Sequence, residues 1–223
     1  MQNSMKMKLA VPIAASVFAL FATGASATQI LGYSQSAGTN TVTGTNNGAG
    51  QTTIVATNVA VNVGNYLGGG APFSATLNLS ATSTGIATLV AGVIHQSYSG
   101  TFSICGAGGC GVTNYLSGTF IDDFSSAGGG SSGTLSATTP PGGNITFTSS
   151  ILTAAQLGAE RGLAFSFSNI TPTFSISNNS LANFTASQSG TFSANLNQVP
   201  EPATLGLLGL GLAGLGFVRR KLA

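Results

Sequence analysis

The chain has 223 residues, only 4% of them charged, with six Lys and Arg against four Asp and Glu. Nucleic-acid binding needs a Lys/Arg-rich face, and none is present, because Lys6, Lys8, Arg219, Arg220 and Lys221 all lie in the two end segments. Between Thr28 and Val199 the charges are Asp122, Asp123, Glu160 and Arg161, so the formal net charge of +2 describes the ends and not the body.

The chain opens with an export pattern. Lys6 and Lys8 form a basic n-region, Leu9 to Phe21 is almost wholly apolar, and Ala25-Ser26-Ala27 is an A-x-A cleavage site. A signal peptide over residues 1–27 is expected, with the mature chain starting at Thr28; Met5 and Met7 offer alternative starts. A membrane helix here is disfavoured by the short apolar region and its small-residue exit.

An exported β-rich domain is expected over 28–198, with 28–50 as an irregular lead-in of Thr, Asn, Gly and Ser. Alternation then begins. Val59, Val61 and Val63 fall on one face, and Phe73, Ala75, Leu77, Leu79 and Ala81 fall on one face of the next segment. The same period of two returns at Leu163/Phe165/Phe167, Phe174/Ile176 and Phe192/Ala194/Leu196. It is the mark of half-buried strands. Glycine runs at 68–70 and 128–130, Pro140-Pro141-Gly142-Gly143 and Ser177-Asn178-Asn179 supply turns. Ser-Gly-Thr-Phe occurs at 99–102, 117–120 and 189–192, with Ser-Gly-Thr-Leu at 132–135. The phrase is taken as a strand start: glycine at a turn, a β-former, then an inward apolar residue. The helical candidate in the body is 151–159. These features predict an all-β fold, an antiparallel β-sandwich or jelly-roll-like domain. A transmembrane β-barrel ranks below it, because the chain has no Trp for aromatic girdles.

Cys105 and Cys110 enclose four small residues in Cys-Gly-Ala-Gly-Gly-Cys. In an exported chain a disulfide is expected, contributing roughly 2 kcal/mol for so short a loop. A metal site and a redox pair are the alternatives; a single histidine, His95, and a spacing unlike C-x-x-C count against both.

Other candidate chemistry is sparse. Asp122-Asp123 follows the strand-like 116–121 and, in a loop, has the oxygens for Ca²⁺; two solvated charges are the plainer reading, since no D-x-D-x-D-G pattern is present. Glu160-Arg161 suits a surface pair at a strand edge. A Ser-His-Asp arrangement around His95 lacks a G-x-S-x-G elbow. Tyr33, Tyr66, Tyr98 and Tyr115 are the possible stacking platforms of a carbohydrate-binding module. No residues are assigned to catalysis, a cofactor or a metal.

The last segment, 199–223, has three parts in order. Pro200-Glu201-Pro202 comes first. Pro202 suits the first turn of a helix and Glu201 the positive end of its dipole. Next, from Ala203 to Val218, no residue is charged and Thr204 alone is polar. A transmembrane helix over 203–218 is expected. As a helix it is about 24 Å long against a hydrocarbon core of ~30 Å, a gap that snorkelling and local thinning close. Arg219, Arg220 and Lys221 come last and stop transfer on the cytoplasmic side.

Pro-Glu-Pro, a Gly/Leu-rich membrane segment and a terminal basic cluster together resemble the PEP-CTERM sorting signal of Gram-negative bacteria that make exopolysaccharide. The resemblance covers about the last 25 residues. It implies an exosortase as partner, an integral membrane enzyme that cuts near Pro200–Pro202, with this chain as its substrate. It implies a body held in the periplasm by an inner-membrane anchor, then delivered to the cell surface or extracellular matrix. The expected function is therefore a non-enzymatic surface or matrix protein associated with exopolysaccharide, biofilm or floc. The alternatives are a carbohydrate-binding module and, less favoured for want of acid/base residues, an extracellular hydrolase.

Overall fold

The computed structural model describes residues 27–36, 38, 40–138 and 144–195. The strands are β1 (Thr28–Gln35), β2 (Val42–Asn46), β3 (Thr52–Tyr66), β4 (Phe73–Ser83), β5 (Thr88–Val90), β6 (Val93–Cys105) and β7 (Asn114–Ala127). They continue as β8 (Gly133–Thr138), β9 (Ile145–Thr148), β10 (Arg161–Thr171), β11 (Ile176–Ser177), β12 (Ser180–Leu181) and β13 (Phe184–Ala194). One short helix, α1 (Ala154–Leu157), lies within the expected 151–159 stretch. Thr153 caps it, with Gln156 reaching back to the Thr153 N–H at 3.0 Å, a capping box.

The fold is all-β and antiparallel, as the alternation predicts. Its closure differs from the expected sandwich. One 11-stranded sheet follows the order β5-β6-β4-β3-β1-β13-β10-β8-β7-β9, with β2 off this path paired to β13 and β3, and β6 also pairs with β7. The path β6-β4-β3-β1-β13-β10-β8-β7 thus returns to β6 and forms a barrel instead of two facing sheets. The period of two fixes which face is buried but not which strand edges meet. Apolar side chains point inward, while Ser, Thr and Asn point outward, the reverse of a membrane barrel.

The Ser-Gly-Thr-Phe phrases lie inside β6, β7 and β13, not at strand starts. Their glycines face inward beside aromatic rings. Gly100 pairs with Phe120 and Phe102 with Gly118, so two copies of the phrase interlock across the β6–β7 ladder. A Cβ on Gly100 would lie 2.8 Å from the Phe120 ring, and one on Gly190 would lie 2.6 Å from the Tyr33 ring. Glycine is needed here for space, because a ring from the next strand covers its position. The rings fill the barrel. Phe102 and Phe192 stack with centroids 4.7 Å apart, and Phe165 meets Phe192 edge to face at 5.6 Å.

The expected irregular lead-in over 28–50 instead supplies two strands. β1 pairs with β13 and β3, and β2 pairs with the same two strands further along. Together they occupy one barrel position, broken between Gln35 and Val42. The register against β13 shifts between Gln29 and Leu31, so Ile30 and Leu31 are both buried although adjacent. That bulge hides the alternation. The Phe174/Ile176 strand is also corrected: Phe174 is a buried loop residue, and Ile176 is exposed in a two-residue strand.

The barrel has two dissimilar ends. One carries Thr28 opposite Ala194, with the loops at 67–72, 106–113 and 149–160. The other carries the loops at 47–51, 84–87 and 128–132 and a longer excursion over 172–183. That excursion folds inward as a cap. Phe174 packs edge to face on Phe124 and Phe184, each at 4.8 Å between centroids.

Candidate functional site

Both ends of the described barrel emerge at one place. Thr28, the expected first mature residue, pairs with Ala194, the last residue of β13. Ala27 is exposed immediately before it. Ala25, Pro200, Glu201, Pro202, Arg219, Arg220 and Lys221 lie outside the described residues, as does the expected membrane helix. Among the described residues, no helix is long and apolar enough to cross a membrane.

The exit of the C-terminal segment is held by polar contacts. The Glu160 carbonyl accepts from the Asn195 N–H at 2.8 Å, and Glu160 Oε2 accepts from Asn195 Nδ2 at 2.7 Å. Gly158 backs onto the same residue. Its φ is +54°, and a Cβ there would meet the Asn195 carbonyl. Glu160 and Arg161 were expected as a surface pair, but their bonds go to different partners. Arg161 Nε donates to the carbonyls of Leu157 at 3.1 Å and Gly158 at 3.0 Å, and Nη1 donates to that of Ile145 at 3.1 Å. Its guanidinium also lies 5.7 Å from the centre of the Phe147 ring. Arg161 thus neutralises the carbonyl end of α1 and fixes the turn that presents Glu160. Sequence reasoning missed this arrangement, since Asn195 carries no signal until β10 and β13 are paired.

The Cys105–Cys110 disulfide closes the loop at the same end, with Cα atoms 4.8 Å apart. The loop walls a groove of about 310 Å³, lined also by Asn58, Thr76, Asn78 and Ser103. The groove is uncharged. Asn78 Oδ1 accepts from the Asn58 N–H at 2.9 Å, which leaves the Asn78 amide nitrogen as a donor.

The tyrosines do not form exposed platforms. Tyr33, Tyr66 and Tyr98 are buried, and Tyr115 is half-buried against Phe73, with centroids 4.3 Å apart. Burial pushes the Tyr33 and Tyr98 phenols well above the usual tyrosine range. The stacking module therefore loses the residues proposed for it. Asp122 and Asp123 lie within β7 and not in a loop. Asp123 Oδ2 is 3.1 Å from His95 Nδ1, on the outward face where β6 meets β7. Both side chains are substantially exposed, at 40% and 54%. Such a pair orients an imidazole, and it stands on an open strand surface. Among the described residues, no group of three or more His, Cys, Asp or Glu is placed to hold a metal ion.

Residues 198–221 match the profile of the PEP-CTERM protein-sorting motif. The chain carries a PEP-CTERM sorting signal. The match begins three residues past Asn195, the residue held by Glu160. No curated protein and no solved structure matches the chain. The PEP-CTERM signal implies export, transit through the membrane and processing by an exosortase. Asn195 leaves the barrel at the end that carries the disulfide loop and α1.

Proposed function

We propose that this chain is an exported, non-enzymatic matrix protein whose barrel is the cargo and whose C-terminal segment is the address. The Sec route delivers it. The apolar run 203–218 holds it in the inner membrane with the barrel in the periplasm, and an exosortase then processes it near Pro200-Glu201-Pro202. The mature barrel resides in extracellular polysaccharide, in a biofilm or floc.

The observation that carries this reading is the sorting match at 198–221, which follows the last strand of the barrel, β13 (Phe184–Ala194). The barrel surface supports the destination. Its outward rows are hydroxyls and amides, and some are ordered by their own bonds. Thr119 and Thr146 hydroxyls lie 2.8 Å apart, as do those of Ser117 and Thr148. A sparsely charged hydrogen-bonding surface suits a hydrated polysaccharide without relying on aromatic stacking. Fractionation of cells with and without exosortase tests the proposal. The protein is expected in the extracellular matrix of the parent strain and with the inner membrane of the deletion strain. The same distribution in both strains would refute it.

A further inference from the structure

Buried polar side chains gather at two places inside the barrel. Around Gln96, each has a partner. At the break between β1 and β2 they do not. Tyr33 Oη, Gln188 Oε1, Gln188 Nε2 and Asn40 Oδ1 are the buried side-chain N and O atoms, among the described residues, that lack a hydrogen-bond partner. Tyr33 is 5% exposed and Gln188 3%. A polar group left bare in an apolar interior costs about 1–3 kcal/mol.

Tyr33 faces inward opposite Gly190, and Gln188 is the next inward residue along β13. The Tyr33 ring lies over Gly190, where a Cβ would be 2.8 Å from its Oη. Strand geometry separates consecutive inward residues by only ~7 Å, so the phenol and the amide can grip one small molecule between them. Asn40 is bound on the other face of β13, where its N–H donates to Ser187 Oγ at 3.2 Å. Phe167 stands in register with Gln188 on β10, while Val42 and Ala186, both buried, pair on the far side of the break. Those walls restrict the occupant to something small.

The chemistry of the set is balanced. Burial keeps the Tyr33 phenol protonated at neutral pH, so it donates. The Gln188 amide offers an acceptor, Oε1, and a donor, Nε2. A water that accepts from Tyr33 Oη donates in turn to Gln188 Oε1. We propose that the β1–β2 break is an internal water site, where bound water bridges Tyr33 and Gln188 and completes the interior of the barrel.

A crystal structure of the exported protein, at a resolution that shows ordered solvent, is the first half of the test. The second half is thermal unfolding of Tyr33→Phe, Gln188→Leu and the double variant. Solvent density within hydrogen-bond distance of Tyr33 Oη and the Gln188 amide is expected. Tyr33→Phe, which keeps the ring, should lower Tm by about 2–4 °C, and the double variant should lose less than the sum of the singles. A dry site overturns the proposal. So does a Tyr33→Phe variant as stable as the parent or more stable, since that is the behaviour of an unpaired hydroxyl.

Discussion

The two ends of the barrel solve different problems. The end far from the termini is closed by the 172–183 excursion, and its buried polar groups form a complete circuit. Gln96 Nε2 donates to Ser180 Oγ at 2.7 Å and to the Gly85 carbonyl at 2.9 Å. Gln96 Oε1 accepts from the Leu181 N–H at 3.0 Å and from Tyr98 Oη at 3.1 Å. Thr52 Oγ1 donates to the Leu181 carbonyl, so the Ser180 hydroxyl, 2.6 Å away, is the donor to Thr52. The other end is held by a disulfide, a four-residue helix and an exposed carboxylate on Asn195. The contrast teaches where rigidity is placed. The cap end is sealed by burial, and the terminal end is tied by a few exposed polar contacts just before the sorting motif.

Breaking the cap should therefore cost more than breaking the terminal end. Phe174→Ala removes the ring wedged between Phe124 and Phe184, and should destabilise the barrel by about 3–5 kcal/mol in denaturant unfolding. Replacing Cys105 and Cys110 together by Ser should cost about 2 kcal/mol, measured the same way, because the closed loop is short. Tyr98→Phe should cost about 1 kcal/mol at neutral pH, since Gln96 Oε1 keeps its bond from Leu181.

That same variant sharpens the comparison at high pH. The Tyr98 phenol is raised by burial in the folded state and ionises near pH 10 when unfolded. Its contribution is whole below about pH 10 and is lost as pH rises beyond it, because the unfolded chain then releases its proton first. Tyr98→Phe should make the alkaline decline in stability shallower. The smallest effect is expected from Glu160→Gln, an exposed change worth less than ~1 kcal/mol. Its readout is local: faster amide exchange at Asn195, with the cap end unchanged.

The sequence made the polarity of the strands legible. Val59, Val61 and Val63, and Leu163, Phe165 and Phe167, are buried as the period of two requires. It concealed closure, because the ring closes only when β1 pairs with β13, strands from opposite ends of the described chain. It concealed β1, because a bulge at Ile30 breaks the alternation. The Ser-Gly-Thr-Phe phrase was visible as a repeat. Its meaning, glycine making room for a neighbour's ring, needed the Gly100–Phe120 and Phe102–Gly118 pairs. The disulfide was legible from spacing and compartment. The Glu160–Asn195 contact and the Gln96 circuit were not, because each joins residues far apart in the chain, and their Asn, Ser and Thr partners are common throughout it. The sorting motif was fully legible, since it is a local order of residues and does not depend on tertiary structure.

The mass of the exported protein tests the central claim most directly. A barrel delivered by one targeting segment and released from the other should be a chain that starts at Thr28 and ends upstream of Arg219-Arg220-Lys221, with the tail retained only in cells lacking exosortase. A mature protein that keeps the basic triplet in exosortase-containing cells would contradict the account.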